Sequence, residues 1–157
     1  VHGKQAHIIA IVATILLDSL GRDYEPFTPI TMDLPEERGI EPDYCFYIDN
    51  CVAILGKDRI AWDVDPPPDL VIEIDVTSYT DVNDYLPYRV PEVWLFKKNK
   101  LRIYGLQNER YVENSISRYF PNFNVSEIVQ ECWQMSRDRH TSTVIRELRR
   151  KIESQKG

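Results

Sequence analysis

One segment constrains this chain more than any other. Asp65-Pro66-Pro67-Pro68 halts whatever element enters it, and Asp69-Leu-Val-Ile-Glu-Ile-Asp-Val76 follows directly. Three successive prolines remove three backbone donors and fix φ, so a new element begins behind them. Strand side chains alternate between faces. Leu70, Ile72, Ile74 and Val76 therefore form one unbroken apolar face, and Asp69, Val71, Glu73 and Asp75 form the other. Such a strand needs a hydrophobic layer on one side. On the other side it needs something that tolerates three carboxylates: water, basic partners or a divalent cation. Hard oxygen ligands on a rigid strand suit Mg2+ or Mn2+. The plainer alternative is an edge strand with its polar face in solvent.

A second acidic strand favours the cation. Asp43-Tyr-Cys-Phe-Tyr-Ile-Asp49 is rich in aromatics and opens behind Glu41-Pro42. It carries Asp43, Cys45, Tyr47 and Asp49 on one face. If the two strands are neighbours, Asp43 can approach Glu73 and Asp75.

The remaining periodicities predict a mixed α/β domain. Gln5 to Leu20 reads as a helix stopped by Gly21, and Phe27 to Leu34 as a strand. Thr77 to Tyr88 should hold a short helix capped by Ser78 or Thr80. Val93 to Lys97 and Leu101 to Tyr104 read as strands joined by a turn at Lys98-Asn99-Lys100. A short strand at Tyr111 follows a turn at Gln107 to Glu109. Asn124 to Met135 reads as a helix with a capping box from Asn124 and Glu127, and Ser142 to Ser154 as a second C-terminal helix.

Charge is unevenly spread. The chain has 157 residues and a formal charge of −6, which excludes a generic basic nucleic-acid coat. Between Arg22 and Asp84 there are 16 acidic residues and 4 basic ones; from Ser136 onward there are 7 basic and 3 acidic. The basic segments Lys97 to Arg102 and Arg146 to Lys151 are the candidate phosphate-contacting surfaces. Three cysteines make no disulfide framework, and a reducing cytoplasm is the expected compartment. His7 to Leu17 is too short an apolar run to span a bilayer, so no membrane partner is expected. No Walker loop, Gly-x-Gly-x-x-Gly or Gly-x-Ser-x-Gly occurs. Histidine and cysteine spacings do not fit zinc. Trp62, Trp94 and Trp133 are better read as core than as base-stacking platforms.

Pro42-Asp43-Tyr-Cys-Phe-Tyr, then Asp65-Pro-Pro-Pro-Asp-Leu-Val-Ile-Glu-Ile-Asp-Val-Thr-Ser78, then Val90-Pro-Glu-Val-Trp94 resemble, in order and spacing, the Uma-two family of the PD-(D/E)XK nuclease superfamily. The resemblance runs over nearly the whole chain, from the opening helix near His2 to Phe120-Pro121. It implies a restriction-endonuclease-like core, a central mixed sheet flanked by helices, in a single domain over residues 1–157. Because the chain opens on Val1 with the first helix, the family's short N-terminal hairpin is expected to be missing. The implied activity is Mg2+- or Mn2+-dependent hydrolysis of DNA phosphodiester bonds, with a homodimer expected through the C-terminal hairpin surface. Asp43 and Glu73 match the family's metal-binding acids. Asp75 stands where the superfamily usually has a catalytic Lys, and could itself recruit metal. Asp69 would support these ligands or serve structure alone. No basic residue lies between Arg59 and Arg89, so Lys57 or Arg89 could stand in for the Lys only if the fold brings it near. The alternative function is an inactive binding or regulatory module on the same fold.

Overall fold

Six strands pair in the order in which the chain makes them. The structure is a computed structural model that describes residues 2–28, 30–35, 37, 39–75 and 81–156. The elements are α1 (His2–Ser19), β1 (Glu25–Phe27), β2 (Tyr44–Tyr47), β3 (Leu70–Ile74), β4 (Glu92–Lys97), β5 (Lys100–Gln107), β6 (Arg110–Asn114), α2 (Val125–Ser136) and α3 (Thr141–Lys156). Short 3-10 helices at Val52–Ile54 and Val82–Tyr88 lie in the connections on either side of β3. All neighbouring strands are antiparallel except β3 and β4, which run parallel. This is the expected mixed α/β architecture.

β3 is an inner strand between β2 and β4, which excludes the edge-strand reading. Its apolar face is buried as expected: Leu70, Ile72 and Ile74 join Trp94 and Phe96 of β4 beneath the three helices. α1 is apolar nearly all round, and Ile8, Ile9, Val12, Leu16 and Leu17 are all buried. Such a helix belongs between a sheet and other helices, not on a surface. α3 closes the layer with Val144, Leu148 and Ile152. Among the described residues, no helix is long and apolar enough to cross a membrane.

The opposite face of the sheet is also covered. A smaller cluster there joins Cys45, Val71 and Val93 to Met32, Tyr85, Tyr88 and Val90. Tyr85 and Tyr88 come from the 3-10 helix that crosses from β3 to β4. The acidic end of β3 is thus roofed rather than washed by solvent.

Several expectations need correction. The strand expected over Phe27 to Leu34 ends at Phe27, and only Met32 bridges again, to Ile40. Pro29 has no N–H to continue the ladder. The helix before β4 starts at Val82, is 3-10 in type, and takes Asp81 as its cap, whose side chain accepts the Asn83 N–H at 2.9 Å. The caps expected for it, Ser78 and Thr80, lie outside the described residues, as does Val76. The β4–β5 turn contains only Lys98 and Asn99. α2 keeps its expected cap: the Asn124 side chain accepts the Glu127 N–H at 3.1 Å.

Candidate functional site

The β2–β3 register puts Tyr44 opposite Ile72, so one step further Asp43 stands opposite Glu73. The two carboxylates are tied to each other's strand. Asp43 Oδ2 accepts the Ile74 N–H at 2.8 Å. Glu73 accepts from the Asp43 N–H and from the Tyr85 hydroxyl. Burial under the 3-10 helix pushes the Glu73 carboxyl up to about 7, and the Asp43 charge pushes the same way. The bonds from Tyr85 and the Asp43 amide pull against them, and Asp75 adds a smaller upward push. The Tyr85 hydroxyl is itself raised, first by burial and then by Glu73.

Asp75 shares this face but is answered differently. Its N–H donates to the Phe96 carbonyl at 2.9 Å, which continues the parallel ladder. Ile74 is opposite Phe96, so Asp75 comes abreast of Lys97. The Asp75 side chain is fully buried, and Lys97 Nζ lies 3.7 Å from Oδ2. The structure thus brings Asp43 and Glu73 together as a facing pair and sets Asp75 beside a lysine. Among the described residues, no group of three or more His, Cys, Asp or Glu is arranged to hold a metal ion.

Asp69 lies at the other end of β3, about 13 Å from Glu73 at strand rise. It accepts the Ile48 N–H at 2.6 Å, the Asn50 N–H at 3.0 Å and Asn50 Nδ2 at 3.2 Å. Its role is to close the turn that leaves β2. Of the two roles open to it in the sequence, these bonds favour the structural one.

Neither candidate substitute for the missing lysine reaches the site. Lys57 Nζ pairs with Asp65 at 2.8 Å, and Arg89 pairs with Glu109 at 2.9 Å. Among the described residues, Lys97 is the cation beside Asp75, and the sequence shows it only as part of a basic hairpin. Its place beside Asp75 follows from the parallel β3–β4 register, which local periodicity does not show. Tyr85 was also missed; a tyrosine directly after Asn83-Asp84 was its one signal. Trp94 and Trp133 are core residues, packed on Phe120 and Phe96. Cys45 is buried and all three cysteines are free thiols.

The Glu73 shift makes stability depend on pH. A carboxyl whose folded pKa is raised favours the folded state while it is protonated in both states. That contribution is complete below about pH 4.5 and fades as pH rises through about 7. The wild type should therefore lose stability from pH 5 to pH 8, by up to about 3 kcal/mol from this group. Glu73→Gln should flatten the dependence and melt higher than wild type at pH 8. Urea unfolding at both pH values checks this; an unchanged pH slope in Glu73→Gln would contradict it.

The Uma2 family model, described as "Putative restriction endonuclease", matches residues 1–142. No curated protein matches the chain. Among solved structures, the chain is similar to a crystal structure titled as a putative nuclease belonging to DUF820 from Anabaena variabilis ATCC 29413. The TM-score is 0.54 at 14% identity, covering 83% of this chain and 79% of that one. At that identity the likeness speaks for the fold, a nuclease-like sheet with helices against one face. The family match spans all six strands and α2, with Asp43, Glu73 and the Pro91-Glu92-Val93-Trp94 segment inside it. The chain belongs to the Uma2 family, the restriction-endonuclease-like family that its motifs resemble.

Proposed function

We propose that the protein is a metal-dependent endonuclease that hydrolyses DNA phosphodiester bonds, with Asp43 and Glu73 holding Mg2+ or Mn2+. The observation that carries this reading is the facing pair itself. Two carboxylates bolted to adjacent strands, one of them desolvated until its pKa approaches 7, are a costly arrangement for structure alone. The donor set fits the cation: Mg2+ is often held by one or two carboxylates, with water and substrate phosphate completing its shell. When bound, the metal would polarise a phosphoryl oxygen and acidify a water. Asp43 would be held in orientation by the Ile74 amide, and Glu73 by Tyr85 and the Asp43 amide. Asp75 is proposed as a support for Lys97, which is the basic residue brought to this face beside it.

A second reading has its own observation. No lysine stands on β3, and the described residues give no three-ligand group. A nuclease fold retained as a binding or regulatory module would look the same. The two separate by titration calorimetry with Mn2+ and by plasmid cleavage with Mg2+ or Mn2+. The enzyme reading expects metal binding lost in Asp43→Asn, and cleavage reduced by about 10²–10³ or more in Asp43→Asn and Glu73→Gln. Wild type that neither binds metal nor cuts DNA would leave the binding module.

A further inference from the structure

The sequence offers two basic segments, and the fold places one on a face of the sheet and the other at its end. α3 packs its apolar stripe into the helical layer, on the face away from Asp43 and Glu73. Part of its charge is already matched: Arg150 pairs with Glu147 at 2.9 Å and Lys151 with Glu131 at 2.6 Å. A strand held on α3 would have the whole sheet between it and the carboxylates. The β4–β5 turn is placed otherwise. β3 and β4 are parallel and end together, so this turn projects from the same end of the sheet as Glu73 and Asp75.

The turn is built against local preference. Lys98 has φ +53° and Asn99 φ +61°, the pattern of a type I′ hairpin, where Gly or Asn is the ordinary choice. A lysine at positive φ is uncommon. The pair closing the turn is Lys97 opposite Lys100, and like charges directly across a hairpin are destabilising. Both Lys98 and Lys100 are exposed. Neither has an ion-pair partner among the described residues. The tip is nevertheless firmly seated: Asn99 Oδ1 accepts from Trp133 Nε1 at 3.0 Å, and Trp133 packs edge-on against Phe96. A rigid turn that breaks two local rules to display two ammonium groups, unpaired among the described residues, with Lys97 held by Asp75 behind them, reads as a binding device.

We infer that this turn, through Lys98 and Lys100, is the surface that grips nucleic-acid backbone phosphates beside the bond presented to Asp43 and Glu73. The inference rests on the nuclease reading above and names the contact that offsets the acidic face. Lys97 is engaged with Asp75 at 3.7 Å, and Arg102, next on the same face of β5, with Glu113 at 3.2 Å, so neither is counted in the grip.

The test is the salt dependence of binding to a fluorescein-labelled DNA duplex, measured by anisotropy in EDTA so that nothing is cleaved. Each lysine that neutralises a phosphate adds about 0.9 to the slope of log K against log salt. Lys98→Asn and Lys100→Thr should each lower the slope by about 0.9, and the double variant by about twice that. Lys98→Arg should keep the wild-type slope. Lys98→Asn should melt no lower than wild type, because Asn suits positive φ, so lost binding cannot be put down to unfolding. Arg146→Gln with Arg149→Gln, on α3, should leave the slope unchanged. Wild-type binding with a slope that falls in the α3 variant but not in the turn variants would overturn the grip while leaving the nuclease reading intact. Wild type that binds no DNA would overturn the grip, and the nuclease reading stands or falls separately on the metal titration and plasmid cleavage above.

Discussion

Replacing Glu92 by Ala should remove about 3–5 kcal/mol of stability, with a fall in Tm of about 10–15 °C. Glu92 opens β4 with no exposure at all, on the helix-covered face of the sheet. Burial raises its pKa, and four contacts hold it back. Trp94 Nε1 donates to Oε2 at 2.9 Å, the Ser117 hydroxyl donates to the same oxygen, and the Arg118 N–H donates to Oε1 at 3.0 Å. The Arg118 charge adds a weaker pull. Truncation would leave two buried donors and one part-buried donor without an acceptor and open a cavity beside Trp94. Glu92→Gln keeps the volume and one acceptor oxygen, so it should cost only about 1–2 kcal/mol. Urea unfolding followed by tryptophan emission measures both. A Glu92→Ala protein as stable as wild type would show that this cluster holds nothing together. The motif that helped mark the family is, at this residue, an anchor for the chain leaving β6.

Asp75→Lys is expected to be nearly as damaging, although the motif resemblance implies a lysine at this place. The Asp75 side chain is fully buried and Lys97 Nζ is 3.7 Å away. The substitution would confront two ammonium groups in a desolvated position, at a cost of about 3–5 kcal/mol. The exchange Asp75→Lys with Lys97→Asp restores an opposite-charge pair across the same two strands. It should recover about 1–3 kcal/mol of that loss, the range measured for residues in direct contact. Four proteins in a double-mutant cycle, unfolded in urea, give the coupling. A double variant no more stable than Asp75→Lys alone would show that the two residues do not act as a pair.

What could be read from the sequence was what local pattern controls. The two faces of β3 follow from strict alternation at Leu70 to Ile74, and the α2 cap follows from Asn124 and Glu127 three residues apart. Asp43 opposite Glu73 was legible only on the condition that β2 and β3 pair, which the chain order favoured. Lys97 was out of reach because its place beside Asp75 depends on a parallel register set by the crossover through Val82–Tyr88. Tyr85 depends on the same crossover. β1 was overestimated because Phe27 to Leu34 is apolar at strand spacing, and the pattern is silent about when the partner strand runs out. Asp69 shows the complementary limit: parity put it on the carboxylate face, while its bonds to Ile48 and Asn50 fix it in a turn far from Glu73.

Helices separated by all six strands in sequence make one layer, and this has a consequence during synthesis. Each strand finds its partner next to it in the sequence, so the sheet can assemble progressively as the chain emerges. α1 is made before the strands and the other helices, yet it needs α2 and α3 as well as β3 to cover its apolar surface. Synthesis proceeds at about 5–20 residues per second, so α1 waits on the order of several seconds to twenty for α2. Throughout that interval Ile8, Ile9, Val12 and Leu16 have only part of their final cover. The nascent protein therefore presents a sticky amphiphilic segment to the ribosome exit and to holding chaperones, and its yield should be more sensitive to translation speed and chaperone supply than its local sheet pairing suggests.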